Sequence, residues 1–176
     1  MIARANDIEV GRGNAIEIGR ADQSDVDGIM ALQLANEVSN GGTLSASLPR
    51  ARLHAMLHAM PLMVARDRGR VVGFLMTTPR EMNSDFEIVR ATFDAFPGAP
   101  DAYLYGPVCV DAQYRGRGLA QAMFDALRAL LPGRQGILFI RRDNAASLNA
   151  HARMGMNEVA EFTLNGSVFA VLAFTG

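Results

Sequence analysis

At 176 residues, 49% hydrophobic and 20% charged, the chain has the length for one domain with a real core and the composition of a globular protein. Its net charge of −1 gives no electrostatic reason to expect capture of nucleic acid or of an anionic membrane. A single cysteine, Cys109, excludes an internal disulfide and suits a reducing compartment.

All 17 basic residues are arginine, a side chain that pairs bidentately with phosphate and cannot itself be acetylated. No apolar run approaches about 18 residues, so no transmembrane helix is expected. The opening MIARANDIEVGRGN lacks the apolar core of a signal peptide. A cytoplasmic protein is expected, with residues 1–14 a flexible arm and residues 15–176 one domain.

Ile16 and Ile18 alternate with Glu17 and Gly19, which predicts a strand over 15–21. Asp22 or Ser24 can cap the helix that follows, whose stripe reads Val26, Ile29, Met30, Leu34 and Val38 until Asn40-Gly41-Gly42 breaks it. A second helix runs from Pro49 to about Met60, with Leu53, Met56, Leu57 and Met60 inward. His54 and His58 share a face of it, but with no third ligand in view no metal site is expected.

Residues 62–66 and 70–77 read as strands joined by the turn Asp67-Arg68-Gly69. Residues 79–101 form a long connection in which Ser84-Asp85-Phe86-Glu87 resembles a capping box, followed by Phe86, Val89, Phe93 and Phe96 at helical spacing. Such a connection can cover a sheet edge, close as a lid over a ligand or contact a second copy of the chain. Later come a strand over 136–141, a helix over 145–154 with Asn144 as N-cap and Gly155 as stop, and a hairpin of 158–164 and 167–174 turning at Asn165-Gly166.

The most informative stretch is Tyr103–Leu131. Tyr103–Val110 is apolar, as a buried strand requires. Leu119, Ala122, Met123, Ala126, Leu127 and Leu130 then recur at helical spacing. Between them stands Gln113-Tyr114-Arg115-Gly116-Arg117-Gly118. The first turn of a helix leaves N–H groups without partners and carries partial positive charge. Glycines let a phosphate reach those groups because no Cβ intervenes. Each charge-assisted hydrogen bond is worth about 1.5–3 kcal/mol, so a few hold a diphosphate without any lysine. A Walker A loop is set aside because the chain has no lysine, and a dinucleotide fingerprint because its spacing does not fit.

Val110 through Ala120 resembles the acyl-CoA diphosphate motif of the GNAT superfamily of N-acetyltransferases. The pattern Gln/Arg-x-x-Gly-x-Gly/Ala is met by Arg115, Gly118 and Ala120, and one register earlier by Gln113, Gly116 and Gly118. Asn144 through Met156 resembles the family's later motif, Asn-x-x-Ala-x-x-Phe-Tyr-x-x-Leu-Gly-Phe, with His151 where tyrosine is common. The element order agrees as well. The expected fold is a mixed α/β single domain, mostly antiparallel with a central parallel strand pair and helices on both faces.

The resemblance implies acetyl-CoA as acyl donor, no metal, and direct transfer to an amine of a small molecule or peptide. It implies a cofactor site of Val108, Cys109, Val110, Arg115, Gly116, Arg117, Gly118, Leu119, Ala120 and Asn144. It places the oxyanion donor at the N–H of Val110 and the acid that protonates the departing thiolate at His151. The apolar part of the central strand holds no carboxylate, so the base stays open among Glu81, Asp85, Glu87, Tyr103, Tyr105 and water. Cys109 reads as a small buried hydrophobe rather than a nucleophile. A non-catalytic acyl-CoA sensor of the same fold is the alternative.

Overall fold

The computed structural model describes residues 7–8, 15–44 and 47–176. Its elements are β1 (Asp7–Ile8), β2 (Ile16–Arg20), α1 (Val26–Asn36), α2 (Arg50–Ala59), β3 (Met63–Asp67), β4 (Arg70–Pro79), α3 (Glu87–Ala95), β5 (Tyr103–Val110), α4 (Leu119–Leu130), β6 (Gln135–Arg141), α5 (Ala145–Arg153), β7 (Asn157–Leu164) and β8 (Ser167–Thr175). This is the expected mixed class: among the described strands β1–β2, β2–β3, β3–β4, β6–β8 and β7–β8 pair antiparallel, and β5 pairs with β6 in parallel. None of the described helices is long and apolar enough to cross a membrane. Two compact units make up the chain: Thr78–Tyr105 with Leu131–Gly176 form one, and the remainder through Thr77 with Gly106–Leu130 forms the other.

In the unit that carries Gly106–Leu130, the strands lie in the order β1-β2-β3-β4. The β3–β4 turn works because Arg68 and Gly69 both take positive φ, 49° and 79°, as a hairpin of right-twisted strands requires. Helix α4 packs on β2 and β3, burying Leu119, Met123, Phe124 and Leu127. Leu130, expected inward, is 46% exposed, and Phe124 fills the stripe instead. The expected arm over 1–14 lies outside the described residues, apart from Asp7–Ile8, which pairs with Ile16 and Glu17.

Helix α1 departs from the expected stripe. Leu34 and Val38 are 59% and 66% exposed, while Val26, Ile29, Leu32, Gln33 and Asn36 are buried. The helix stops at Asn36, since Glu37 turns extended (ψ 150°), so Val38 is not on it. The polar pair is buried because it is satisfied. Gln33 donates to the Leu48 carbonyl at 3.2 Å and accepts from the Leu48 N–H at 3.0 Å. Asp22 caps the turn before α1, with Asp25 returning a bond to the Asp22 N–H. Asp25 is also gripped by Arg66 through two bonds of 2.8 and 2.6 Å.

In the other unit the order is β5-β6-β8-β7. The parallel ladder couples Tyr103 to Gly136 and Leu104 to Ile137. The β7–β8 hairpin turns at Asn165 and Gly166, both at positive φ. Phe93 and Phe96 pack on Ala102, Ile137, Val171 and Ala173. The expected capping box at Ser84 does not form: Ser84 donates to the Glu81 carbonyl, and the cap position is taken by Phe86, which offers no side-chain cap hydrogen bond. Helix α3 starts at Glu87, so this carboxylate sits at the first helical position, where it cannot reach back to a cap three residues earlier.

Candidate functional site

β5 ends at Val110, and the next residue donates its N–H to the Val72 carbonyl at 2.9 Å. Successive residues of a strand turn their N–H and C=O groups to opposite edges, so those of Val110 point away from β4. Asp111 accepts from the Gln113 N–H at 3.0 Å and opens the short turn Ala112–Tyr114. Gly116 and Gly118 then take φ of 74° and 75°, and a Cβ on either would meet nothing within 4 Å. The first bond of α4 runs from the Ala122 N–H to the Gly118 carbonyl. Leu119, Ala120 and Gln121 therefore begin the helix with N–H groups that have no intrahelical partner. Open space above two glycines, ending on those amides, is what a diphosphate needs.

The two arginines divide their roles. Arg117 lies over the Tyr114 ring at 4.9 Å, and Arg70 also faces that ring at 5.4 Å. The Tyr114 hydroxyl donates to Asp67, which ties the loop to the β3 end. Arg115 instead folds back, donating from Nε to the Val110 carbonyl at 3.2 Å and from its terminal nitrogen to Asn36 Oδ1 at 2.8 Å. Beside it opens a cleft of about 270 Å³ bordered by Leu32, Asn36, Asn40, Gly42 and Asp111. Asn36 and Tyr114 carried no signal in the sequence, because their partners lie 79 and 47 residues away. Val108 and Val110 are half-buried. Cys109 is buried and its thiol is pushed up to about 11 by that burial, so it is protonated at neutral pH.

The later motif lies in the unit that carries α5. Asn144 caps α5 by accepting from the Ser147 N–H at 3.1 Å, which leaves its NH₂ group outside the cap. His151 is buried, edge-on to Tyr105 with ring centroids 5.8 Å apart. Its Nδ1 is 2.8 Å from the Ser147 carbonyl oxygen. A carbonyl only accepts, so Nδ1 carries the proton and Nε2 of the neutral ring holds the lone pair. Burial lowers the His151 pKa from its usual 6.5, against a smaller upward pull from that carbonyl. The ring is neutral at pH 7, and its second nitrogen is set up as a proton acceptor. Burial likewise raises the Tyr105 phenol and keeps it neutral. Among the described residues no group of His, Cys, Asp and Glu can hold a metal ion, and His58 is exposed.

The chain belongs to the acetyltransferase (GNAT) family, whose sequence model matches residues 32–156. Solved structures agree on the fold. An acetyltransferase of the GNAT family from Streptococcus agalactiae superposes with a TM-score of 0.71 at 14% identity, covering 98% of this chain and 99% of that one. The ribosomal-protein-S18-alanine N-acetyltransferase of Escherichia coli gives 0.63 at 14% identity, covering 90% and 92%. Arabidopsis thaliana NAA60 in complex with acetyl-CoA gives 0.65 at 13% identity, covering 91% and 98%. No curated protein sequence matches the chain significantly.

Proposed function

We propose that the protein transfers an acetyl group from acetyl-CoA to an amine of a small molecule or peptide. The observation that carries this reading is the pair of open, positive-φ glycines, Gly116 and Gly118, leading into the amides at the start of α4. Structures of the same fold contain acetyl-CoA, as in Arabidopsis NAA60. In this reading the amides of 115–120 hold the diphosphate, with Val108 and Cys109 along the rest of the donor. The Val110 N–H donates to the thioester oxygen, where negative charge grows as nitrogen attacks.

His151 carries the proton. Neutral, it accepts the proton that the attacking nitrogen loses as the C–N bond forms. As imidazolium it then returns that proton to sulfur as the C–S bond breaks. One residue thus serves in turn as acceptor and donor, and the apolar strand needs no carboxylate. The test is incubation with acetyl-CoA and a panel of amines, with free thiol followed by a chromogenic reagent. Acceptor-dependent thiol release that falls in His151→Gln is expected. Tight acetyl-CoA uptake with no release against any amine would instead identify a non-catalytic acyl-CoA sensor.

A further inference from the structure

We infer that Asn36, at the last position of α1, is a positioning residue for the oxyanion donor, acting through Arg115; this rests on the acyl-CoA reading above. Three observations converge. The Arg115 guanidinium spans two acceptors, the Val110 carbonyl at 3.2 Å and Asn36 Oδ1 at 2.8 Å. The carbonyl it holds lies on the same strand edge as the Val110 N–H, because both groups of one strand residue point the same way. The two groups flank the same Cα, so holding the carbonyl restrains the rotation that would turn the donor aside. Asn36 itself is buried, with Nδ2 donating to the Leu32 carbonyl at 2.9 Å, so its Oδ1 is aimed by the helix rather than by chance rotation.

The chain beyond α1 reinforces the aim. Its backbone winds back, with the Gly42 N–H donating to the Glu37 carbonyl and the Leu44 N–H donating to the Asn36 carbonyl at 3.0 Å. A Cβ on Gly42 would fall 1.9 Å from the Asn36 carbonyl oxygen, so only glycine lets the loop close on this residue. The arginine of the diphosphate motif is consequently committed to Val110, the residue whose N–H faces the thioester oxygen, and its side chain is not a phosphate ligand. Its charge also stands beside the place where the oxyanion forms.

The experiment compares Arg115→Met, Asn36→Leu and Asn36→Asp with the wild type. For each, acetyl-CoA affinity is measured by titration calorimetry, and the stretch of the isotope-labelled thioester carbonyl is read by infrared difference spectroscopy at saturation. Hydrogen bonding by the Val110 N–H lowers that stretch in the bound wild-type complex. Arg115→Met and Asn36→Leu are expected to lose most of that lowering with affinity near that of the wild type, and turnover falls about ten- to a hundredfold. Asn36→Asp keeps an acceptor for the guanidinium and is expected to retain the signature, which a merely structural asparagine would not do. Circular dichroism establishes that each variant is folded, and if Asn36→Leu is not, the Arg115→Met and Asn36→Asp pair decides. An unchanged carbonyl stretch, with affinity weakened in a steeply salt-dependent way, makes Arg115 a phosphate ligand and overturns the inference alone. No uptake of acetyl-CoA by the wild type overturns the acyl-CoA reading and the inference with it.

Discussion

Replacing Gly118 by alanine separates the cost of backbone strain from the cost of blocking a ligand. Gly118 holds φ of 75°, and its added Cβ meets no protein atom within 4 Å. The folded protein therefore suffers only the left-handed backbone penalty, about 1–2 kcal/mol. For a chain of this length that is a fall in melting temperature of about 2–8 °C. The ligand suffers separately, because the methyl occupies the space through which a phosphate approaches the amides. Loss of one charge-assisted hydrogen bond, about 1.5–3 kcal/mol, weakens acetyl-CoA by about ten- to a hundredfold. Gly133 supplies the control: its φ is 74°, it too has open space above it, and it lies past the end of α4. Gly133→Ala should lose comparable thermal stability and no affinity. Scanning calorimetry and titration calorimetry on the two variants make the comparison. Equal affinities for acetyl-CoA in both would refute the cradle argument, whatever the melting temperatures.

Asp25→Ala should destabilise the fold by about 2–3 kcal/mol in urea denaturation, because it strips a bidentate partner from Arg66, which keeps Glu17 and the Arg20 carbonyl; a loss under about 0.5 kcal/mol, the level of an ordinary surface change, would count against a structural role for the pair. His151 has a folded pKa below its unfolded value of 6.5, so the unfolded chain binds the extra proton in the window between them. Stability should be level above pH 6.5 and decline as pH falls below it, and His151→Gln should flatten that decline; parallel curves for the two proteins would contradict it. The same shift means that acceptor-dependent turnover should rise as His151 deprotonates and lose that inflection in His151→Gln. Cys109, buried with a thiol pushed to about 11, should resist a chromogenic disulfide reagent until the protein unfolds; prompt labelling of the folded protein would overturn that assignment.

Where local chemistry decides the structure, the sequence was readable. Asp67-Arg68-Gly69 and Asn165-Gly166 turn their hairpins because glycine accepts the positive φ that the twist demands. Asn144 caps α5 as its spacing to the helix suggests, and the glycines of the diphosphate motif adopt the left-handed conformations that keep the cradle open. What could not be read was set by partners distant in sequence. Asn36 and Gln33 are polar residues that the stripe of α1 left out, yet each is buried against a partner, Arg115 and Leu48, supplied from outside the helix. Leu34 looked inward only because hydrophobic spacing says nothing about which turn a loop such as Gly41-Gly42 will cover. His151 was legible as a candidate, but its protonation was not: the Ser147 carbonyl that takes its Nδ1 proton lies one turn back in α5, while the burial that keeps the ring neutral is a tertiary fact.

The central claim concerns specific amides, and amide nitrogen–proton correlation NMR reads them one at a time. Titrating coenzyme A into the folded protein should move the backbone signals of Arg115 through Ala120 strongly, and pantetheine, which lacks the diphosphate, should leave them nearly still. If coenzyme A binds and those six signals stay where they were, the diphosphate sits elsewhere and the account is wrong.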